Sequence, residues 1–234
     1  MISNDQATPG SKLTSARRAA TCINVAGGIA ASSSLFYTGP YDVVLILTML
    51  FPIGAIIVMV LHPGLITLHE RRKSEYPTVM YAVLLPGVFL LAIALRDFNL
   101  APSNVMWYYT VGFAAVYLAV MREVKRTAES IPIMNIIGAS AIAMAYSYGT
   151  YVIINCKYDV SAPSIHRVTI VDKKIDEAKS TSYYLVLEQW GPFTSTEESR
   201  VPKEKFDSVN TGDVLNIALK PGPLQTQWYY IKGD

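Results

Sequence analysis

The segment that decides the fold is residues 131–158, which read IPIMNIIGASAIAMAYSYGTYVIINCKY. Between Glu129 and Lys157 the chain carries no charged side chain. An α-helix rises about 1.5 Å per residue, so a helix of this length can cross a hydrocarbon core about 30 Å thick. The chain is mostly apolar before this segment and mostly polar after it. We therefore expect a membrane helix that joins two different halves of the protein.

The composition of the chain agrees with this division. Of its 234 residues, 51% are hydrophobic and only 16% are charged, whereas soluble domains carry about 25% charged residues. No basic patch is large enough to indicate nucleic-acid binding, so no nucleic-acid partner is expected. The two cysteines, Cys22 and Cys156, are too few for a disulfide framework.

The apolar half, residues 17–156, is predicted to be a transmembrane domain with five helices. Its apolar segments are residues 19–37, 43–61, 78–95, 105–121 and 131–155. The polar residues 1–16 before it are predicted to form a disordered cytoplasmic tail. Because Arg17 and Arg18 precede the first segment, that segment could also be a cleaved signal peptide instead of a span.

The distribution of basic residues predicts the orientation of these helices. With five spans and a cytoplasmic N-terminus, the short outer loops contain one basic residue, Arg96. The cytoplasmic segments contain the others of this half, which are Lys12, Arg17, Arg18, Arg71, Arg72, Lys73, Arg122, Lys125 and Arg126. Positively charged loops remain in the cytoplasm. We therefore predict a multi-pass protein of the plasma (inner) membrane whose C-terminal domain is extracytoplasmic, or periplasmic.

Two predicted spans contain proline and glycine near their middles. Pro52 with Gly54, and Pro86 with Gly87, are candidate kinks because proline removes a helical hydrogen bond. Paired broken helices surround the substrate site in many transporters, which makes a transporter or channel-like protein one alternative. No Asp, Glu, Lys, Arg or His lies deep within a predicted span, although ion and proton paths normally need one.

Small residues recur at four-residue spacing in the last predicted span, at Ala141, Ala145 and Gly149. In lipid, small side chains at this spacing let two helix backbones approach closely. We therefore predict that this face packs against a neighbouring helix.

Residues 159–234 are predicted to form a small all-β domain. The strands are expected at residues 166–175, 183–190, 214–220 and 227–232, with a polar loop at 193–200 and a helical turn at 202–209. Short strands separated by Gly and Pro turns favour an antiparallel barrel or a twisted sheet. In architecture this pattern resembles small barrels of the OB and SH3 type.

The sequence offers no recognisable catalytic, cofactor-binding or metal-binding residues, and no cofactor is expected. The three histidines, His62, His69 and His166, are predicted to lie on two sides of the membrane and so cannot form one site. The chain also lacks a phosphate-binding loop, a Cys-x-x-Cys pair and a Gly-x-Ser-x-Gly elbow. This favours a non-enzymatic role and leaves a membrane enzyme with an unrecognised site as an alternative.

Aromatic residues in the C-terminal domain exceed what so small a core can bury. We interpret Tyr183, Trp190, Trp228 and Tyr230 as a candidate surface for a partner. The expected partners are the lipid bilayer and a protein, which could be a second copy of the chain. The predicted function is therefore that of an integral membrane protein that displays a β domain as an interaction or assembly module.

Overall fold

The computed structural model describes residues 9–36, 41–68, 75–124, 133–177 and 181–232. The helices in these ranges are α1 (Pro9–Phe36), α2 (Tyr41–Leu61), α3 (Met80–Asp97), α4 (Val105–Val124), α5 (Ile133–Lys157) and α6 (Lys203–Asp207). The strands are β1 (Asn99–Leu100), β2 (Ser164–Asp176), β3 (Ser182–Leu187), β4 (Glu197–Val201), β5 (Val214–Lys220) and β6 (Trp228–Ile231). The chain folds as two compact units, Met1–Arg96 with Tyr108–Tyr151, and Asp97–Trp107 with Val152–Asp234.

Four helices in the described ranges are long and apolar enough to cross a membrane, not the five that were predicted. They are α1, α2, α3 and α5, each with an apolar stretch of at least 18 residues. In α4 the apolar stretch, Val105–Val120, is shorter. By length and composition, the helices fit a multi-pass membrane protein.

The first helix begins earlier than the sequence suggested. Residues 9–16 were assigned to a disordered tail, but they are helical from Pro9 onward. Proline suits the first position of a helix because its missing N–H would have no helical partner there. Tertiary contacts begin about two turns later, where Ala16 is buried and Arg17 donates a hydrogen bond to the Glu75 carbonyl at 3.1 Å. Residues 1–8 lie outside the described ranges.

A polar side chain joins α1 to the start of α3. The Asn24 Nδ2 donates to the Thr78 carbonyl at 2.6 Å, and its Oδ1 accepts from the Ala82 N–H at 2.9 Å. The first N–H groups of a helix have no partner within that helix. An unpaired N–H is costly in hydrocarbon, so Asn24 supplies a cap to α3 from a different helix.

The C-terminal domain is an antiparallel, nearly closed sheet, in agreement with the predicted barrel. The strand order is β1-β6-β5-β2-β3-β4. The long strand β2 pairs with β5 through its first half and with β3 through its second half. A bulge between Ile170 and Asp172 separates the two pairings, and bulges bend a strand in this way.

The core of this domain fills the inside of the curved sheet. Alternate residues of each strand point inward, as the two-residue period of a β-strand requires. The inward side chains include Val168, Ile170, Leu185, Leu187, Ile217 and Tyr229, all almost completely buried. The short helix α6 adds Phe206 to the same core.

Strand β4 was not predicted, since its sequence was assigned to a polar loop. Its inward residues are Ser199 and Val201, and its outward residues Glu198 and Arg200 are exposed. At the end of the sheet order β4 pairs with β3 alone, and edge strands often carry charges. The apolar alternation that reveals a strand is therefore weak here.

Candidate functional site

The loop after α3 contributes a strand to the C-terminal sheet. Strand β1 pairs antiparallel with β6, with Asn99 opposite Tyr229 and Leu100 opposite Trp228. The next residue, Ala101, is buried in the core and donates its N–H to the Gln227 carbonyl at 2.8 Å. The sequence predicts this loop as part of the transmembrane domain, whereas the structure places it in the C-terminal unit. A two-residue strand carries no periodic signal, so only the folded structure reveals the pairing.

The β5–β6 loop closes over Asn155, which is fully buried near the end of α5. The Asn155 Nδ2 donates to the Thr226 carbonyl at 2.7 Å, and its Oδ1 accepts from the Leu224 N–H at 3.0 Å. Gly222 has a φ of +71°, and a Cβ at this position would lie 2.5 Å from the Asn155 Oδ1. The loop therefore requires glycine here.

Asp159, two residues beyond α5, makes a second set of contacts. Its Oδ2 accepts from Trp228 Nε1 at 2.8 Å and from the Gly222 N–H at 3.1 Å. Its Oδ1 accepts from the Ser161 N–H at 2.8 Å, and its carbonyl accepts from Lys220 Nζ at 2.6 Å. Burial acts to raise the pKa of Asp159, but these hydrogen bonds and the Lys220 charge outweigh it and lower that pKa.

Alternation along β6 places aromatic side chains on both faces of the sheet. Tyr229 points into the core, whereas Trp228 and Tyr230 point outward with ring centroids 5.6 Å apart. Phe98 packs edge-on against Trp228 at 6.1 Å. Tyr230 is 38% exposed and the other two rings are half-buried. We call Phe98, Trp228 and Tyr230 the outer aromatic face.

The four predicted partner residues do not form one surface. Trp228 and Tyr230 lie side by side, whereas Tyr183 packs against Phe206 at 5.1 Å between ring centroids. Trp190 is only 6% exposed and packs edge-on against Tyr229, so its assignment to an exposed surface was wrong. Its ring also packs against Phe193 at 5.0 Å between ring centroids, and an antiparallel bridge joins these two residues.

Phe98 and Asp159 complete this surface, and sequence reasoning missed both. Phe98 is far from β6 in sequence and reaches Trp228 only through the β1 pairing. Asp159 was read as the first residue of a polar domain. The feature that could have indicated its role is its position directly after a membrane helix, before a tryptophan-bearing strand.

Two titratable groups lie toward the inside of the sheet. Burial raises the pKa of Tyr229 to about 12, because a buried phenolate would lose its hydration. Burial also raises the pKa of Glu197, with a further contribution from the charge of Glu198. Tyr229 is therefore a neutral phenol at physiological pH. In the part of the chain that the structure describes, no group of three His, Cys, Asp or Glu side chains could hold a metal ion.

The candidate kinks lie inside continuous helices, Pro52 in α2 and Pro86 in α3. The hydroxyl of Tyr146, on α5, donates to the Met49 carbonyl at 2.7 Å. Met49 lies in the turn before Pro52, next to the Thr48 carbonyl, whose usual helical N–H donor is absent because residue 52 is proline. A Cβ at Gly87 would lie 3.5 Å from the Tyr146 Cβ. Tyr146 therefore lies against both proline-containing segments.

The predicted kink residue Gly54 lies against α1, whereas Gly149 of the predicted packing face lies against α3. A Cβ at Gly54 would lie 3.1 Å from the Ile23 side chain of α1. A Cβ at Gly149 would lie 2.6 Å from the Leu90 backbone, so α3 and α5 approach closely there. Ala145 is half-buried and Ala141 is exposed.

Comparisons with protein-family models, with curated proteins and with solved structures found no match to the chain.

Proposed function

We propose that this chain is a non-enzymatic membrane protein with five spans that displays its β domain outside the cytoplasm as an interaction or assembly module. The observation that carries the proposal is the pairing of β1 with β6. It joins the loop between α3 and α4 to the domain that follows α5.

This pairing constrains the number of membrane crossings. Strands of one sheet lie on one side of a bilayer, so the chain between β1 and β6 crosses it an even number of times. Helices α4 and α5 are the two long helices between these strands. Helix α5 is long and apolar enough to cross, so the proposal requires α4 to cross with it. The 20 residues of α4 rise about 30 Å, and their apolar stretch is Val105–Val120.

The basic residues supply the orientation. Arg17 and Arg18 lie in the first turns of α1, and Arg122 lies in the last turn of α4. With five spans, these positions share one side, and the positive-inside rule makes that side the cytoplasm. The C-terminal domain then lies outside. Lys12 also lies in the first turn of α1. The remaining basic residues used for this prediction, Arg71, Arg72, Lys73, Lys125 and Arg126, lie outside the described ranges.

The contacts of Asn155 and Asp159 suit a module that presents a surface. They fix the β5–β6 loop to the end of α5, and β1 fixes the opposite side of β6. A surface held in this way loses little conformational entropy when it binds. We assign the outer aromatic face as the contact for a protein partner or a second copy of the chain, because exposed aromatic groups are enriched at interfaces.

A reporter fusion tests the orientation. Alkaline phosphatase is active only outside the cytoplasm, so we expect activity after Asp234 and none after Lys73. Fusions of a cytoplasmic fluorescent protein at the same two positions are the control, with the opposite pattern expected. An inactive phosphatase after Asp234 with an active one after Lys73 would reject the proposed orientation.

A photo-crosslinking amino acid tests the module itself. Placed at Tyr230 in whole cells, it should yield an adduct with one partner, or an adduct of twice the chain mass for a second copy. The matched control is Tyr184, a half-buried tyrosine on the outward side of β3. Equal adducts from both positions, or none from Tyr230, would show that the outer aromatic face is not the contact surface.

A transporter or channel-like function is the second candidate. The contact of Tyr146 with both proline-containing helices favours it, because paired broken helices surround transporter sites. Liposomes that contain the purified protein should then be more permeable to small polar solutes than empty liposomes. Equal permeability would reject this candidate and leave the interaction module unaffected.

A further inference from the structure

Four hydroxyl groups on α4 and α5 are shielded from solvent, those of Thr110, Tyr117, Ser147 and Thr150. Thr110, Tyr117 and Ser147 have no hydrogen-bond partner within the described chain, whereas Thr150 interacts with the Tyr146 hydroxyl. Thr110 is completely buried, Ser147 is 2% exposed and Tyr117 is 7% exposed. We call these four groups the hydroxyl stripe.

The stripe follows the contact between the two helices. The rings of Tyr109 and Tyr151 stack at 5.5 Å, and those of Tyr117 and Tyr146 lie 5.8 Å apart. Thr110 and Tyr117 share one face of α4 because they are seven residues, or two turns, apart. This spacing gives the stripe a length of about 10 Å.

Other buried polar groups of the helical unit have partners, which sets the stripe apart. Asn24 binds the start of α3, and Thr48 donates to the Val44 carbonyl at 2.8 Å. Tyr146, beside the stripe, donates to the Met49 carbonyl. Buried hydroxyl groups without a partner are costly in hydrocarbon, so each such group in a native structure requires an explanation.

We propose that the hydroxyl stripe is a binding site for water that extends to Tyr146 at the proline-containing segments. A hydroxyl group both donates and accepts, and buried water typically makes about three hydrogen bonds to such groups. An ion would need charged partners. The charged residues in the sequences of α4 and α5 are Arg122, Glu123 and Lys157, and all three belong to the last turns of these helices. The stripe therefore suits a neutral hydrogen-bonding molecule.

Cysteine reactivity tests this hydration. In a chain with Cys22 and Cys156 replaced by alanine, Ser147→Cys should react with methyl methanethiosulfonate, since water stabilises the reactive thiolate. Ala143→Cys is the control, because Ala143 is completely buried one turn earlier on α5. The expected rate ratio is about tenfold or more, which is the effect of one unit of thiol pKa.

The outcomes are decisive in both directions. A fast Ser147→Cys with a slow Ala143→Cys supports a hydrated stripe, and equal rates, whether slow or fast, overturn it. If either variant fails to fold, Thr110→Cys and Ala114→Cys on α4 provide a second matched pair, since both residues are buried. The inference rests on α4 and α5 lying in the membrane and not on the role of the β domain.

Discussion

At the residue scale, the attachment of the β5–β6 loop depends on close contacts to two polar side chains. Asn155 is fully buried. Its side-chain amide donates a hydrogen bond to one backbone group of the loop and accepts one from another. Asp159 collects N–H groups from three different residues. Contacts of this kind tolerate little change in shape, so single substitutions should reveal them.

Replacement of Gly222 by alanine should destabilise the C-terminal unit strongly. Its φ of +71° disfavours a side chain, and the new Cβ would meet Asn155 at 2.5 Å. We expect a loss of about 3 kcal/mol from backbone strain and overpacking together. Gly212→Ala is the control, because Gly212 has a φ of +93° but open space around it, so about 1–2 kcal/mol should be lost. Thermal unfolding in detergent, followed by tryptophan fluorescence, measures both.

Removal of the Asp159 charge should make the free energy of unfolding depend less on pH in the acid range. The pKa of Asp159 is lower in the folded protein than its ordinary value of 3.8. The carboxylate therefore contributes stability above pH 3.8, which is lost as the pH falls through the folded pKa. We expect Asp159→Asn to be less stable than the parent at pH 7 by about 1 kcal/mol.

The difference in stability between Asp159→Asn and the parent protein should shrink as the pH falls below about 3.8. The control is Asp172→Asn on strand β2, which removes a negative charge from the same sheet without removing a contact to the β5–β6 loop. A constant difference between Asp159→Asn and the parent from pH 7 to pH 3 would contradict the assigned role of the charge.

Residue type and strand alternation predict only part of the candidate site. Trp228 and Tyr230 were identified by their type, and the alternation of β6 explains why they share a face while Tyr229 is buried. Trp190 has the same type but lies in the core. The difference arises from the path of the chain after β3, which a composition-based argument does not contain.

At the element scale, the length of the apolar runs predicted the helices well. The sequence patterns that indicate strands predicted the edge strands poorly. Three of the predicted spans correspond to helices of the structure with shifts of about two residues at their ends. Residues 43–61, 78–95 and 131–155 match α2, α3 and α5. Strands β1 and β4 were missed because one is very short and the other has charged outward residues. Both depend on pairing with distant partners, and no local pattern encodes such pairing.

Close packing of α3 against α5 leads to a prediction with a matched control on one helix. Gly149→Ala would place a Cβ 2.6 Å from the Leu90 backbone, so the helices would have to separate. We expect a loss of about 2–3 kcal/mol. Gly138→Ala, where nothing lies within 4 Å, should leave stability unchanged or raise it by up to about 1 kcal/mol. Similar losses in both variants would show that helix propensity, and not packing, decides the effect.

The short strand β1 should contribute measurable stability to the C-terminal unit. Ala101→Pro removes the N–H that bonds the Gln227 carbonyl at 2.8 Å and leaves that acceptor without its donor. We expect a loss of about 1–3 kcal/mol. Ala101→Gly keeps the N–H and should cost no more than about 1 kcal/mol. An unchanged midpoint of thermal unfolding in Ala101→Pro would mean that β1 is not paired in the protein.

At the scale of the whole molecule, the sequence and the structure constrain topology in different ways. The charge pattern predicts which side is cytoplasmic but depends on the number of spans. The sheet fixes only that the loop after α3 and the C-terminal domain share a side. The two arguments are independent, so a suitable experiment can test them separately.

Labelling of single cysteines in intact cells by a membrane-impermeant maleimide makes this separation. It tests whether the loop after α3 and the C-terminal domain share a side, and it tests which side that is. We place them at Asn104, Thr211 and Lys12, all exposed in the structure, after replacing Cys22 and Cys156. We expect labelling of Asn104→Cys and Thr211→Cys, and of Lys12→Cys only after permeabilisation. The reverse pattern would keep the shared side of positions 104 and 211 but invert the proposed orientation of the protein in the membrane. Different labelling of positions 104 and 211 would contradict the β1–β6 pairing itself, because the two strands would then lie on opposite sides of the bilayer.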